Sequence, residues 1–328
     1  MDQTVSTVNE QSLPTVDYFD NPALSSTYLK FFYTDGAHAY WNKVYNTSAD
    51  NSADDENQAF LLGSLVHCMI LEPDTMDDKY VIFRGSRPNS KQKKEFARLV
   101  SEADDLDILT CYDQCYKPTG TDATRRIKAN ELCQELMDYI RAIKTSKDKI
   151  MMDWFMMNTA RQMESSVRKN KFVRDFLNYS QVDTELEIYF NKDGIDMKSK
   201  VDWLIRDDVN KRLIYIDIKT TKNSHLNYFK EAVEHWSYDL QMAFYEQAIR
   251  SQLKDWNLED YDIEFYWIAI STTAPYSTNV FRVSDATLAS GRHKFNKTFE
   301  SFKEFAAKGS SVEDMWIDDN IKGCPSAI

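Results

Sequence analysis

Two aspartates and a lysine within Lys198 to Lys222 (KSKVDWLIRDDVNKRLIYIDIKTTK) have the types and spacing that chemistry could use. The runs Met197 to Arg206 and Arg212 to Lys219 are alternating and rich in β-branched residues. The polar segment Asp207 to Lys211 joins them, and this pattern predicts a β-hairpin. A turn centred between Val209 and Asn210 sets Asp202 opposite Asp217. Side chains repeat every two residues along a strand, so Tyr215, Asp217 and Lys219 share one face and Ile214, Ile216 and Ile218 the other. Like charges directly opposed on a sheet are destabilising. A half-buried carboxylate pair needs a proton, a cation or a metal. Lys219 supplies one compensation and a divalent cation another, whereas an ordinary surface hairpin with a salt bridge would satisfy the same spacing.

The elements around this hairpin decide how it can be used. Gln58 to Leu71 (QAFLLGSLVHCMIL) is strongly apolar, ends at Glu72-Pro73, and predicts a buried helix with Gly63 and His67 one turn apart on one face. Val182 to Phe190 alternates. Leu186, Ile188 and Phe190 take one face, Asp183, Glu185, Glu187 and Tyr189 the other, and Asp193-Gly194 turns the strand into the hairpin. Ser224 to Glu234 and Ser237 to Arg250 read as helices, the second carrying Gln241 and Tyr245 one turn apart. Strands at 263–270 and 279–283 and an amphipathic helix over Asp285 to Lys308 follow. Upstream, a helix from Ser25-Ser26 is interrupted at Asp35-Gly36, Tyr80 to Arg84 is strand-like, and Thr121 to Thr145 is helical with Ile127, Leu132, Leu136, Tyr139, Ile140 and Ile143 as its apolar stripe. The methionines between Lys149 and Asn170 read as core filler. The sum is an α/β (α+β) fold, a central mixed sheet flanked by helices with a helical N-terminal elaboration. The expected organisation is a mobile arm over 1–20, one domain over 21–310 and a tail over 311–328. Within that domain, 21–170 is mainly helical and carries the His67 helix, and 180–308 forms the sheet and its flanking helices.

With 328 residues, 42% hydrophobic and 13% aromatic, the chain can bury a sizeable core. No apolar run approaches ~20 residues, so no membrane span is expected. The first residues lack a basic and an apolar region, so no signal peptide and a cytoplasmic location are expected. Five cysteines without paired spacing argue against disulfides and cysteine-rich metal clusters. The net charge of −12 requires any nucleic-acid contact to come from local basic patches. The candidates are Lys91, Lys93, Lys94 and Arg98; Arg125, Arg126 and Lys128; and Arg168, Lys169, Lys171 and Arg174, each also readable as a solvated helix face.

The ordered set Gly63…His67, Glu185, Asp202, Asp217-Ile218-Lys219 and Gln241…Tyr245 resembles the P-D…(D/E)-x-K nuclease superfamily. Within it, the set resembles the RecB-like branch and phage or prophage exonucleases of the RecE (exonuclease VIII) type. The resemblance is carried by FLLGSLVHCMILEP at 60–73, TELEIYF at 184–190, KVDWL at 200–204, IYIDIKTT at 214–221 and YDLQMAFYEQAI at 238–249, with weaker support from SGRHKF at 290–295. It departs at Ser199-Lys200-Val201, where relatives usually have Gly-Arg-Pro or similar.

The resemblance implies a Mg²⁺- or Mn²⁺-dependent enzyme acting on DNA in a phage-encoded recombination system of a bacterial host. Asp202, Asp217 and the backbone carbonyl of Ile218 would hold the metal, with His67 completing the shell. Glu185, or Glu187 on the same face, could touch it or a second ion. Lys219 would orient the attacking water or stabilise charge on the phosphate. Gln241, Tyr245 and Lys222 would contact DNA or buttress the metal residues. The expected activity is exonucleolytic, on linear double-stranded DNA. The alternatives are an endonuclease or single-strand or branched-DNA nuclease of the same fold, and a catalytically silent binding protein. A homo-oligomeric ring that hides basic residues in its channel, and a single-strand annealing partner, are further expectations of the likeness.

Overall fold

The hairpin forms with the expected register: Trp203 pairs with Ile216, Leu204 with Tyr215 and Ile205 with Ile214. The computed structural model describes residues 17–45, 58–102, 107–146 and 149–308. The acidic segment 46–57, which its composition marks as an expected loop, the expected tail and most of the expected arm fall outside these. The elements run β1 (Leu24–Ser25), α1 (Ser26–Tyr45), α2 (Gln58–Leu71), α3 (Met76–Lys79), β2 (Tyr80–Phe83), α4 (Lys91–Glu102), α5 (Ile108–Tyr116), α6 (Asp122–Glu135), α7 (Met137–Ser146), β3 (Ile150–Asp153), α8 (Trp154–Lys169) and α9 (Lys171–Leu177). They continue with β4 (Val182–Lys192), β5 (Ile195–Asp207), β6 (Arg212–Thr221), α10 (Leu226–His235), α11 (Tyr238–Gln252), β7 (Asp262–Ser271), β8 (Thr278–Arg282) and α12 (Asp285–Lys308). Contacts divide the chain into two units, residues 1–63 with 165–328, and residues 64–164.

The first unit holds a six-stranded mixed sheet in the order β1-β5-β6-β7-β8, with β4 on the other edge of β5. β4, β5 and β6 form an antiparallel meander, β6 and β7 are parallel, and β8 returns antiparallel. The β4–β5 turn is a two-residue hairpin. Lys192 pairs with Ile195, and Asp193 and Gly194 both have positive φ (49° and 86°), the geometry that favours an Asp-Gly pair. One face of the sheet packs Leu204, Leu213, Tyr215, Phe265 and Trp267 against Met242, Tyr245, Ala248 and Ile249 of α11 and Phe229 of α10. Each such side chain contributes about 1.5–3 kcal/mol on burial. On the opposite face, Phe176 of α9 meets Trp203 and Tyr266 edge-on. A second cluster joins Leu29, Phe32 and Tyr40 of α1 to Phe244 of α11 and Phe295, Phe299 and Phe302 of α12. Gly36 breaks α1 where expected, with φ 85° and ψ 173°.

The second unit pairs β2 with β3 in parallel and builds a helical core from Phe96, Tyr112, Ala129, Cys133, Leu136 and Ile140. The expected helix over Thr121 to Thr145 is divided at Leu136 into α6 and α7, and Ile127 is exposed rather than part of the buried stripe. Its basic residues are largely answered by acids of the same unit: Arg98 by Glu95 and Glu102, Arg125 by Asp113 and Asp122, and Arg126 by Asp107. Met152, Met156, Met157 and Met163 are buried as expected, while Trp154 and Phe155 face outward.

Candidate active site

The paired residues on either side set Glu185, Asp202 and Asp217 side by side on β4, β5 and β6. Thr184 pairs with Trp203 and Leu186 with Val201, and Trp203 pairs in turn with Ile216. Neighbouring strands lie ~4.8 Å apart, so this is a row of three carboxylates across the sheet. Each carboxylate is held differently. Asp202 Oδ2 accepts the backbone N–H of Ile218 at 2.9 Å, so a side chain takes a bond that the strand ladder would otherwise make. Asp217 is buried, and its Oδ1 accepts from Lys219 Nζ at 2.6 Å and from the Tyr215 hydroxyl at 3.4 Å. Glu185 Oε2 lies 3.2 Å from Lys200 Nζ. Glu185 also has φ 53°, left-handed backbone within a strand. Such a conformation costs on the order of 1–3 kcal/mol at a non-glycine residue and concentrates at functional sites.

Gly63 brings α2 onto β6, because a Cβ at that position would sit 3.0 Å from Thr220 Oγ1. The helix continues unbroken for one more turn to His67. Ligand atoms of Glu185 and Asp202 lie within 4.8 Å of each other. Glu187 instead accepts from the Tyr189 hydroxyl.

The electrostatics follow from this crowding. Burial works against the Lys219 ammonium, and Asp217 and Asp202 outweigh it, so the group stays charged above its ordinary range. Burial, with Asp202 and Asp217 adding to it, pushes the Tyr245 hydroxyl up to about 12. Both aspartates therefore act on the same tyrosine of α11, as expected of carboxylates on one face. Gln241 Nε2 donates to the Tyr245 hydroxyl at 3.3 Å. Helix α11 is itself fixed on α12. Buried Asp239 accepts from Ser290 and Lys294, buried Glu246 accepts from Arg250 and Arg292, and Gly291 leaves room for the Asp239 carbonyl.

A family model for the PDDEXK-like domain of unknown function (DUF3799) matches residues 25–313. The chain belongs to this family. No curated protein matches the chain. Two solved structures are similar to it. One is a protein from Eubacterium rectale named "Putative exonuclease", with 12% identity, a TM-score of 0.49, and coverage of 88% of this chain and 83% of that one. The other is SSO0001, with 16% identity, a TM-score of 0.25, and coverage of 64% and 83%. Family membership supports a nuclease, and the mixed sheet with its flanking helices is the fold expected of one.

In this member of the family, the row, Ile218, Lys219, Gln241 and Tyr245 occupy one region of the first unit. The carboxylate oxygens, compressed into a row of like charge, fit a hard divalent cation. Lys222 is exposed just past the end of β6. Lys30 is a residue the motif reading missed. Its Nζ lies 3.4 Å from Gln241 Oε1 and 5.4 Å from the Tyr238 ring centroid, and Lys219 Nζ lies 5.1 Å from the same centroid. Burial, and the Lys219 charge after it, press the Lys30 ammonium down to about 8. The signal in the sequence was slight: Ser26 and Lys30, one turn apart at the start of α1. Among the described residues no helix is long and apolar enough to cross a membrane.

Proposed function

We propose that the protein is a divalent-metal-dependent deoxyribonuclease that degrades linear double-stranded DNA from an end. The observation that carries this reading is the row Glu185–Asp202–Asp217 with Lys219 salt-bridged beside it. Asp202, Asp217, His67 and the backbone carbonyl of Ile218, with Glu185, would hold Mg²⁺ or Mn²⁺. When bound, the ion polarises a phosphodiester and lowers the pKa of a water. The chain supplies the rest. Lys219, kept protonated by its two aspartates, presents a buried ammonium where negative charge grows on the phosphate. Asp217 fixes the position of that ammonium, and the amide of Ile218 fixes Asp202. Gln241 and Tyr245 brace the row from α11, and Lys222 reaches the DNA backbone from the end of β6. End-directed action, a phage recombination setting, a ring of subunits that turns the basic residues inward, and a single-strand annealing partner belong to the same reading.

The test is cleavage of linear duplex and of covalently closed circular DNA by purified protein with Mg²⁺ or Mn²⁺. EDTA, Asp217→Ala and Lys219→Ala serve as controls. Metal-dependent loss of linear duplex with the circle intact is the expected result. Nicking of the circle replaces end-directed action with endonuclease action. Absence of metal-dependent cleavage of any DNA across salt conditions would overturn the reading.

A further inference from the structure

We propose that Phe19 is a stacking platform for a nucleobase of the DNA strand held at the carboxylate row, an inference that rests on the nuclease reading above. The segment before β1 is a turn with its own bonds. Asp20 and Asn21 donate backbone N–H groups to the Asp17 carbonyl at 3.1 and 3.0 Å, and the Phe19 N–H meets Asp17 Oδ1 at 2.9 Å. What pins the turn is Lys198. This lysine is only 3% exposed. Its ammonium donates to the Tyr18 carbonyl at 2.5 Å and the Asn21 carbonyl at 2.6 Å, and lies 4.7 Å from the Tyr18 ring centroid. Burying an ammonium is costly unless its protons are satisfied. Here both acceptors are backbone carbonyls of this turn, so the buried charge serves to place it.

The turn holds Phe19 outward, 78% exposed, and Tyr18 supports it edge-on at 5.4 Å. A phenylalanine so exposed has gained little from folding, so its flat face is open to a further contact. Its neighbours indicate the contact. Lys200 Nζ lies 5.7 Å from the Phe19 ring and 3.2 Å from Glu185 Oε2, so one lysine bridges the ring to the first carboxylate of the row. Tyr18 lies close enough to the site that Tyr245 and Glu185, after burial itself, add to the upward push on its hydroxyl. An apolar ring, a cation and a phosphate-handling row in succession match a nucleotide, with the base on Phe19 and the phosphate toward Lys200 and the row. Stacking on an aromatic face requires a base free of its neighbour, so the occupant is a strand end or a frayed terminal nucleotide.

The experiment measures binding in a Lys219→Ala background with Mg²⁺, using duplexes whose terminal nucleotide either carries 2-aminopurine or is abasic. The Phe19 protein, Phe19→Ala and Phe19→Trp are compared. Phe19→Ala is expected to weaken binding of the base-bearing end on the order of 10-fold, to leave the abasic end nearly unchanged, and to lose the 2-aminopurine fluorescence change. Phe19→Trp is expected to restore all three. Equal weakening on both ends, no weakening on either, or a change in sedimenting mass that marks Phe19 as a contact between subunits would each overturn the proposal. Unchanged thermal unfolding of Phe19→Ala confirms that the exposed ring is dispensable for folding. If the unaltered protein cleaves DNA and Phe19 proves indifferent, this inference alone fails. If it neither binds nor cleaves DNA, the nuclease reading fails first.

Discussion

Asp202 has two separable roles: its oxygen accepts the Ile218 amide, and its charge crowds Glu185 and Asp217. Asp202→Asn keeps an acceptor and removes the charge. Metal-free stability should therefore hold or rise by about 0.2–1 kcal/mol as repulsion in the row is relieved. Cleavage should fall on the order of 100-fold or more, and calorimetric unfolding alongside a nuclease assay separates the two effects. Lys30 yields a pH prediction. Its folded ammonium titrates at about 8, while an unfolded lysine titrates near ~10.4. Between those values the unfolded chain binds the extra proton, so Lys30 makes stability rise with pH across that window. Lys219 has the opposite sign, with its folded value raised. Its contribution is present below ~10.4 and is lost only as pH climbs through that higher folded value. Activity that uses the Lys30 charge should decline above pH of about 8, and Lys30→Arg, which stays protonated, should move that limb upward. Asp202, Asp217 and Lys219 were legible in the sequence because a two-residue period and a turn suffice to place them on one face. Lys30 and Phe19 were not, because their neighbours Gln241, Tyr238 and Lys200 are distant in the chain and only the packing of α1 and the pinning of the turn bring them near.

At the scale of elements, β4 to β6 and the Asp193-Gly194 turn followed from alternation and turn chemistry, and α12 from its aromatic stripe. The signal failed where local propensity competes with packing. The residues around Leu136 read as continuous helix yet divide into α6 and α7. β3 is only four residues long and runs directly into α8, too short for an alternation to register. Two glycines set how elements meet. A Cβ at Gly63 would press on Thr220, and one at Gly291 would fall 2.0 Å from the Asp239 carbonyl, against backbone that cannot yield as a flexible side chain can. Gly291→Ala should therefore cost about 1–3 kcal/mol or more. It should also lower activity beyond the loss of folded protein, since α11 carries Gln241 and Tyr245. Gly63→Ala should cost less than Gly291→Ala, because only the Thr220 hydroxyl must move. Urea denaturation of the pair tests the order.

For the molecule as a whole, a carboxylate row without its cation is a store of repulsion, so metal should stabilise the fold by mass action. Mg²⁺ or Mn²⁺ at a hundred times its dissociation constant is expected to add about 2.7 kcal/mol, read as a rise in the unfolding midpoint, and Asp202→Asn should abolish the rise. The division of the chain into two units left no mark in its composition because α2 and α8 run straight across both boundaries, with no glycine- or proline-rich linker between. That continuity has a consequence for synthesis. Leu24 and Ser25 of β1 pair with Met197 and Lys198 of β5, across the whole inserted unit. At roughly 5–20 residues per second, a ribosome delivers the partner strand on the order of ten to thirty-five seconds after β1. Through that interval the aromatic face of α1 has neither α11 nor α12 to cover it. The nascent chain is therefore expected to need holding chaperones until most of the protein has been made, and the second unit, contiguous in sequence, is expected to fold first.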